Sequence, residues 1–240
     1  MAEALAARAD PAPQQATRLL AIRHGETAWN AQARMQGQLD IDLNDIGRWQ
    51  ARRVAAALAG EPLDALYASD LLRARHTAEP LASARGLTLH TDVALRERCF
   101  GIFQGLTFAE IEARWPDDAR RWRQRDPDFA PEGAESLRTF FDRCVAGVGR
   151  LAAAHAGETI ALVSHGGVMD CLYRAATRVD LQAPRSWLLG NASINRLLYT
   201  PQGLTLVGWS DTRHLDDVPR DEAEAGEAAP EVAGAVGLAA

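Results

Sequence analysis

The sequence predicts an α/β fold, a three-layer α/β/α sandwich around a mostly parallel central sheet. Short apolar runs rich in Leu, Ile, Val and Ala alternate with amphipathic stretches of helical length, the pattern of parallel strands joined by crossover helices. With 240 residues and 47% hydrophobic side chains, the chain can bury one full core. Aromatic residues make up only 6% and alanine is abundant, which suits helices packed closely on a sheet. No internal repeat is present.

Taken in order, residues 1–16 are rich in Ala, Pro and Gln, and residues 216–240 mix small and acidic residues without apolar period. Both ends are predicted to be mobile, flanking one domain over 17–215. TRLLAIR, DALYAS, LTLH and TIALVSH read as strands, and SINRLLYT and LTLVGWS as a pair joined across Pro201, Gln202 and Gly203. A helix opens at Asn44, places Ile46, Trp49, Val54 and Leu58 on one side, and stops at Gly60. A second begins near Asp70 and is expected to bend or restart at Pro80. A third starts at Ser136 and buries Leu137, Phe140, Phe141, Cys144, Val148 and Leu151.

Bulk chemistry excludes several classes. The formal net charge of −6 argues against nonspecific binding to nucleic acid or to an anionic membrane surface. Cys99, Cys144 and Cys171 show no CxxC spacing, so they read as reduced thiols of a cytoplasmic protein. The first residues lack an apolar signal core, and no apolar run is long enough to cross a bilayer. The edges of the C-terminal strands leave room for a homodimer.

Functional groups of parallel sheets collect beyond the carboxyl ends of the strands. Arg23-His24-Gly25, Ser69 to Arg73, Leu95-Arg96-Glu97 and Ser164-His165-Gly166 all follow predicted strands. Arginine offers a planar fork of donors that suits tetrahedral oxyanions. Arg23, Arg73 and His165 would repel one another without a dianion between them, and a phosphate monoester supplies one. His24 can then act as base or as nucleophile. As a nucleophile it must be neutral, with one ring nitrogen held by a fixed acceptor, and Gly25 leaves room for the backbone to provide it. A GxSxG serine, a CxxxxxR cysteine and an Asp-rich metal cluster are missing from the sequence.

LLAIRHGETAWN, QGQLDIDLNDIGRWQA, DALYASDLLRARHTAEPLA, LRERCFGIFQGLT, PEGAESL and ALVSHGGVMD, taken as an ordered set, resemble the histidine phosphatase superfamily, in its phosphoglycerate mutase-like branch 1, over about residues 17 to 215. The resemblance implies a phosphoglycerate mutase-like fold and a phosphohistidine on His24. It implies phosphoryl contacts from Arg23, Arg73, His165, Gly166 and Asn30, and a proton donor at Glu97. It implies no metal and no cofactor, and a small phosphorylated metabolite as partner.

The sequence departs from the family pattern at His76, where Gln is more usual, at Ala134 before Glu135, and at Asp170, where a basic or neutral residue is frequent. These bear on substrate contacts, not on the phosphoryl pocket. His76, His90, His155 and His214 read as structural or surface residues. Trp115 and Trp122 either border a substrate entrance or pack an inserted helix. Arg114, Arg120, Arg121, Arg123 and Arg125 beside Asp117, Asp118 and Asp126 read as a solvated face.

The expected activity is metal-free phosphomonoester hydrolysis. The alternatives are a phosphoglycerate mutase and a noncatalytic phospholigand-binding protein. In the family, mutases carry a longer insertion after the glutamate motif; here only the stretch from Phe103 to Glu135 separates that motif from PEGAES. Selectivity is expected from the variable segment 105–131.

Overall fold

A computed structural model describes residues 15–216. The predicted mobile ends therefore fall almost entirely outside the described residues. Six strands, β1 (Thr17–Arg23), β2 (Ala65–Ala68), β3 (Leu89–Thr91), β4 (Thr159–Ser164), β5 (Ile194–Thr200) and β6 (Gly203–Asp211), form one sheet. Their order is β3-β2-β4-β1-β5-β6. The pairs β3–β2, β2–β4 and β4–β1 are parallel. β5 runs antiparallel to both of its neighbours, closing the hairpin expected around Gln202.

Side-chain alternation along the strands builds the two outer layers. Leu19 and Ala21 of β1, with Ile160 and Leu162 of β4, face α6 (Leu137–Ala153) and α7 (Gly166–Thr177). Leu20 and Ile22, with Ala161 and Val163, face α2 (Asp45–Ala57) and α3 (Leu72–Arg85). Each fully buried Leu, Ile or Val contributes about 1.5–3 kcal/mol relative to exposure. A short helix, α1 (Ala28–Ala31), follows β1. The segment after Glu97 folds as α4 (Phe108–Arg114) and α5 (Pro116–Arg123) over a satellite core of Phe103, Ile111, Ala119, Trp122 and Phe129.

Two local expectations change. Asn44 caps α2 through Gly47 N–H, but Ile46 is 53% exposed, because Gly47, Ala51, Val54 and Ala55 form the buried stripe. α3 runs through Pro80 as one helix; the lost N–H is outweighed by full burial of Thr77, Ala78 and Leu81 around it. α3 begins at Leu72, near Asp70 as expected; Asp70 itself pairs with Arg96, while the Leu72 N–H is taken by Asp40 from a distant loop. Among the described residues no helix is long and apolar enough to cross a membrane.

Candidate active site

The pairing of β1 with β4 creates the centre of the site. Arg23 lies opposite Ser164 in the parallel register, so the next residues, His24 and His165, emerge side by side. The His24 N–H donates to Ser164 O at 2.8 Å, and the imidazole centroids are 5.2 Å apart at 58°. His24 is 3% exposed and His165 fully buried.

Gly25 is needed here for space. Its N–H donates to Thr77 Oγ1 at 2.9 Å, and a Cβ on it would stand 2.5 Å from Gly47 O. The Gly25 carbonyl turns back to His24 Nδ1 at 2.6 Å. Because a carbonyl only accepts, Nδ1 carries the hydrogen and Nε2 keeps the lone pair of the neutral ring. Burial, then the charges of Arg73 and Arg23, hold His24 well below the ordinary imidazole value. Burial, Arg73, His24 and Arg23 do the same to His165. Two uncharged imidazoles thus sit among guanidiniums.

Those guanidiniums are held by main-chain carbonyls. Arg73, at the start of α3, donates Nη1 to Leu39 O at 2.8 Å and Nη2 to Gly37 O at 2.6 Å. Arg23 donates Nη1 to Leu189 O. Desolvation pushes each down to about 10, opposed by the charge of Glu97, so both stay cationic at neutral pH. Arg23 Nε, Arg73 Nε, both nitrogens of His165 and Gln36 Oε1 are buried without a protein partner. Buried donors left unpaired cost about 1–3 kcal/mol each, and an oxyanion in this cage would satisfy several together.

Glu97 follows a 3-10 turn at Val93–Leu95 rather than a strand end. Its Oε1 accepts from Arg98 N at 2.8 Å and its Oε2 from Gly167 N at 3.0 Å. Gly166 opens α7 against Arg23: a Cβ there would lie 3.3 Å from Arg23 Nε. The structure therefore gathers Arg23, His24, Arg73, Glu97, His165 and Gly166. Asn30 lies in α1. Its Oδ1 closes a capping box with Thr27 and also receives Asn191 Nδ2 at 3.4 Å. Among the described residues no group of three or more His, Cys, Asp or Glu could hold a metal ion.

A profile of the histidine phosphatase superfamily, branch 1, matches residues 19–212. The chain belongs to the histidine phosphatase superfamily. It is 39% identical over 203 residues to phosphoglycerate mutase-like protein 4 of Arabidopsis thaliana, covering 83% of this chain and 87% of that protein. It is 36% identical over 207 residues to the metal-independent phosphoserine phosphatase of the same plant, covering 85% of each. The solved structure of a mycobacterial glucosyl-3-phosphoglycerate phosphatase superposes with a TM-score of 0.74 at 34% identity, covering 82% of this chain and all of that one.

Within this histidine phosphatase fold, several supporting residues escaped the sequence reading. Asn191 donates to His24 O at 3.0 Å, and Leu189 O holds Arg23; the Gly190-Asn191 turn before β5 was the available signal. Glu135 accepts from Cys99 N and binds Arg143, which in turn donates to the carbonyls of Ala94, Arg96 and Glu97. Thr77 ties Gly25 to Arg73 O.

The residues left between two readings resolve as structural. His76 bonds Asp42 at 2.5 Å and His214 donates to Ala192 O at 3.1 Å. Trp122 packs against Phe100 and Phe103 under the Arg98 guanidinium, and Trp115 stacks at a tilt near Phe103. Arg120, Arg121 and Arg123 pair with Asp117, Asp126 and Glu112 on a solvated face. Arg125 leaves that face and turns inward to Asp170.

Proposed function

We propose that the chain hydrolyses small phosphomonoesters through a phosphohistidine on His24, without metal or cofactor. His24 Nε2 attacks phosphorus as the ester P–O bond breaks, and protonated Glu97 gives its proton to the leaving oxygen. The Glu97 carboxylate then takes a proton from water, the water oxygen bonds phosphorus, and the P–N bond breaks to release inorganic phosphate. Arg23 and Arg73 neutralise charge on the equatorial oxygens, and the neutral His165, the Gly166 amide and Asn30 Nδ2 donate hydrogen bonds to them.

The observation that carries this reading is the tautomer of His24: Nδ1–H is fixed on Gly25 O, in a ring kept neutral by burial and by the two arginines. Rapid-quench labelling with radioactive phosphomonoester should give an acid-labile, base-stable modification on His24. Label on another side chain, or undiminished phosphate release by His24→Ala, would remove the mechanism.

The relative named as a phosphoglycerate mutase-like protein favours isomerisation as a second reading. The short stretch from Phe103 to Glu135 weighs toward hydrolysis. Conversion of 3- to 2-phosphoglycerate without free phosphate would reverse that choice. We place the reaction in the cytoplasm, on three cysteines that are all free thiols. A homodimer through the outer edge of β6, where Val207 is 60% exposed, belongs to the same proposal, and light scattering decides it.

A further inference from the structure

The loop that enters β5, residues 188–193, meets the reaction centre along its whole length. Leu189 O receives Arg23 Nη1, and Asn191 Nδ2 donates to His24 O at 3.0 Å. The Ala192 N–H donates to the same oxygen at 3.2 Å, and Ser193 O receives the Arg23 N–H at 3.2 Å. The peptide group between His24 and Gly25 is thereby held at both ends, since the Gly25 N–H donates to Thr77 Oγ1 at 2.9 Å. That peptide leads directly to the Gly25 carbonyl, which bonds His24 Nδ1 and so sets the direction of Nε2.

A loop with this duty does not stiffen itself. Leu188 is 75% exposed, and the fully buried Ala192 holds a φ of +56°. Such a conformation is unfavourable for a residue with a Cβ and persists only where its neighbours enforce it. Here the neighbours belong to the C-terminal segment. Trp209 Nε1, on β6, donates to Leu188 O at 2.9 Å. His214, in a 3-10 turn at Arg213–Leu215, meets Ala192 O through Nε2 at 3.1 Å; a carbonyl only accepts, so Nε2 carries the hydrogen. His214 is itself anchored, because its carbonyl receives Arg53 Nε of α2 at 2.7 Å and Leu215 packs on the cluster of Val54, Ala192 and Ile194.

We infer that His214 and Trp209 are positioning residues for phosphoryl transfer: they clamp the two ends of the 188–192 loop, which fixes the main chain of His24 and the guanidinium of Arg23. Neither touches a reacting atom. The bond from His214 is structural in kind, yet it ends on the residue whose N–H holds the nucleophile's carbonyl. This rests on the hydrolase reading above and brings the C-terminal segment into its machinery.

p-Nitrophenyl phosphate reads the transfer to His24 without demanding a proton donor. In His214→Ala its kcat/KM should fall roughly tenfold, short of the 10²-fold that follows a displacement of about 1 Å because Asn191 and Thr77 remain in place. The calorimetric Kd of inorganic phosphate should rise much less, since the bonds that hold Arg73 are untouched. His214→Gln, whose amide nitrogen can donate to the same carbonyl, should recover most of the loss. Trp209→Phe keeps a ring beside Tyr173 but frees Leu188 O, and should lose activity severalfold. Proton NMR of the His24 Nδ1–H gives a readout independent of turnover: the resonance should shift or broaden in His214→Ala and return in His214→Gln.

Urea melts establish the conditions in which each variant is folded. Wild-type kcat/KM or an unmoved resonance in folded His214→Ala would overturn the positioning role, as would a loss that His214→Gln does not repair. If His214→Ala does not fold, a wild-type rate in Trp209→Phe would overturn the clamp. Wild type that turns over no phosphomonoester would refute hydrolysis alone; the His24 resonance would still decide the positioning.

Discussion

Gly167→Ala isolates the proton donor without touching its carboxyl group. A Cβ at position 167 would stand 2.2 Å from Glu97 Oε1 and 3.0 Å from Phe140 Cε1. Phe140 is 2% exposed and cannot swing away, so the carboxylate has to withdraw by about 1.2 Å, from 2.2 Å to the 3.4 Å where ordinary contact begins. The same movement strains the 3.0 Å bond from Gly167 N to Glu97 Oε2. Displacement of a reacting group by about 1 Å costs on the order of 10²-fold, and loss of a general acid costs roughly 10²- to 10⁴-fold. The expected loss in kcat/KM is therefore about 100-fold, or about 2.7 kcal/mol of transition-state stabilisation, for an alkyl phosphate such as phosphoserine. For p-nitrophenyl phosphate, whose weakly basic leaving group departs unprotonated, the first transfer to His24 should slow only severalfold. Glu97→Gln should reproduce this split. Equal losses on both substrates would mean that the carboxyl group positions rather than protonates, and a fully active Gly167→Ala would refute the role of Glu97.

Other outcomes follow from the same cage. Unfolded, His24 and His165 titrate at the ordinary value of 6.5, and folded they titrate well below it, so below pH about 6.5 the unfolded chain binds more protons. Stability should fall as pH drops through that window by about 2.7 kcal/mol per unit from the two rings; urea melts of His165→Asn should show about half that slope, and an unchanged slope would mean the ring is charged in the native state. Inorganic phosphate at 100 times its Kd should stabilise the protein by about 2.7 kcal/mol. Arg73→Lys, one ammonium in place of the fork on Gly37 O and Leu39 O, should weaken that Kd at least tenfold by calorimetry. Thr77→Val strips the Gly25 N–H of its buried acceptor and should cost about 1–3 kcal/mol in chemical denaturation, whereas Thr77→Ser should cost much less; a fully stable valine variant would contradict the bond.

The fold was legible wherever local chemistry matched tertiary demand. β1 and β4 declare themselves because Leu19 to Ile22 and Ile160 to Val163 are buried on both faces, and such strands read as unbroken apolar runs. Arg23, His24, His165 and Gly166 could be found because each directly follows one of those runs. Ile46 misled because periodicity gives a helix face but cannot say which edge of it meets the sheet. Pro80 misled because a local penalty of one hydrogen bond says nothing of the packing that opposes it. The carbonyls of Gly37, Leu39 and Leu189 left no trace at all, since every residue has a carbonyl and only the tertiary path decides which ones face an arginine. Asp170 was visible as a departure from the family pattern, but of its partners only Arg174 shares its helix, while Arg125 and Arg185 come from other segments.

Strand register, more than any single side chain, sets the chemistry of this site. Arg23 opposite Ser164 puts His24 abreast of His165, and a slip of one residue would turn each side chain to the opposite face of the sheet. With the two rings 5.2 Å apart and two buried guanidiniums beside them, adding a proton to either imidazole would bring a third positive charge into a space already poor in water. The rings stay neutral, so one retains the lone pair that phosphorus needs. The arginines stay charged because Glu97 lies near and main-chain oxygens surround them. The two arginines carry +2 and the two imidazoles none, so the cage attracts an anionic phosphoryl group, and the same burial that costs stability makes a nucleophile of His24.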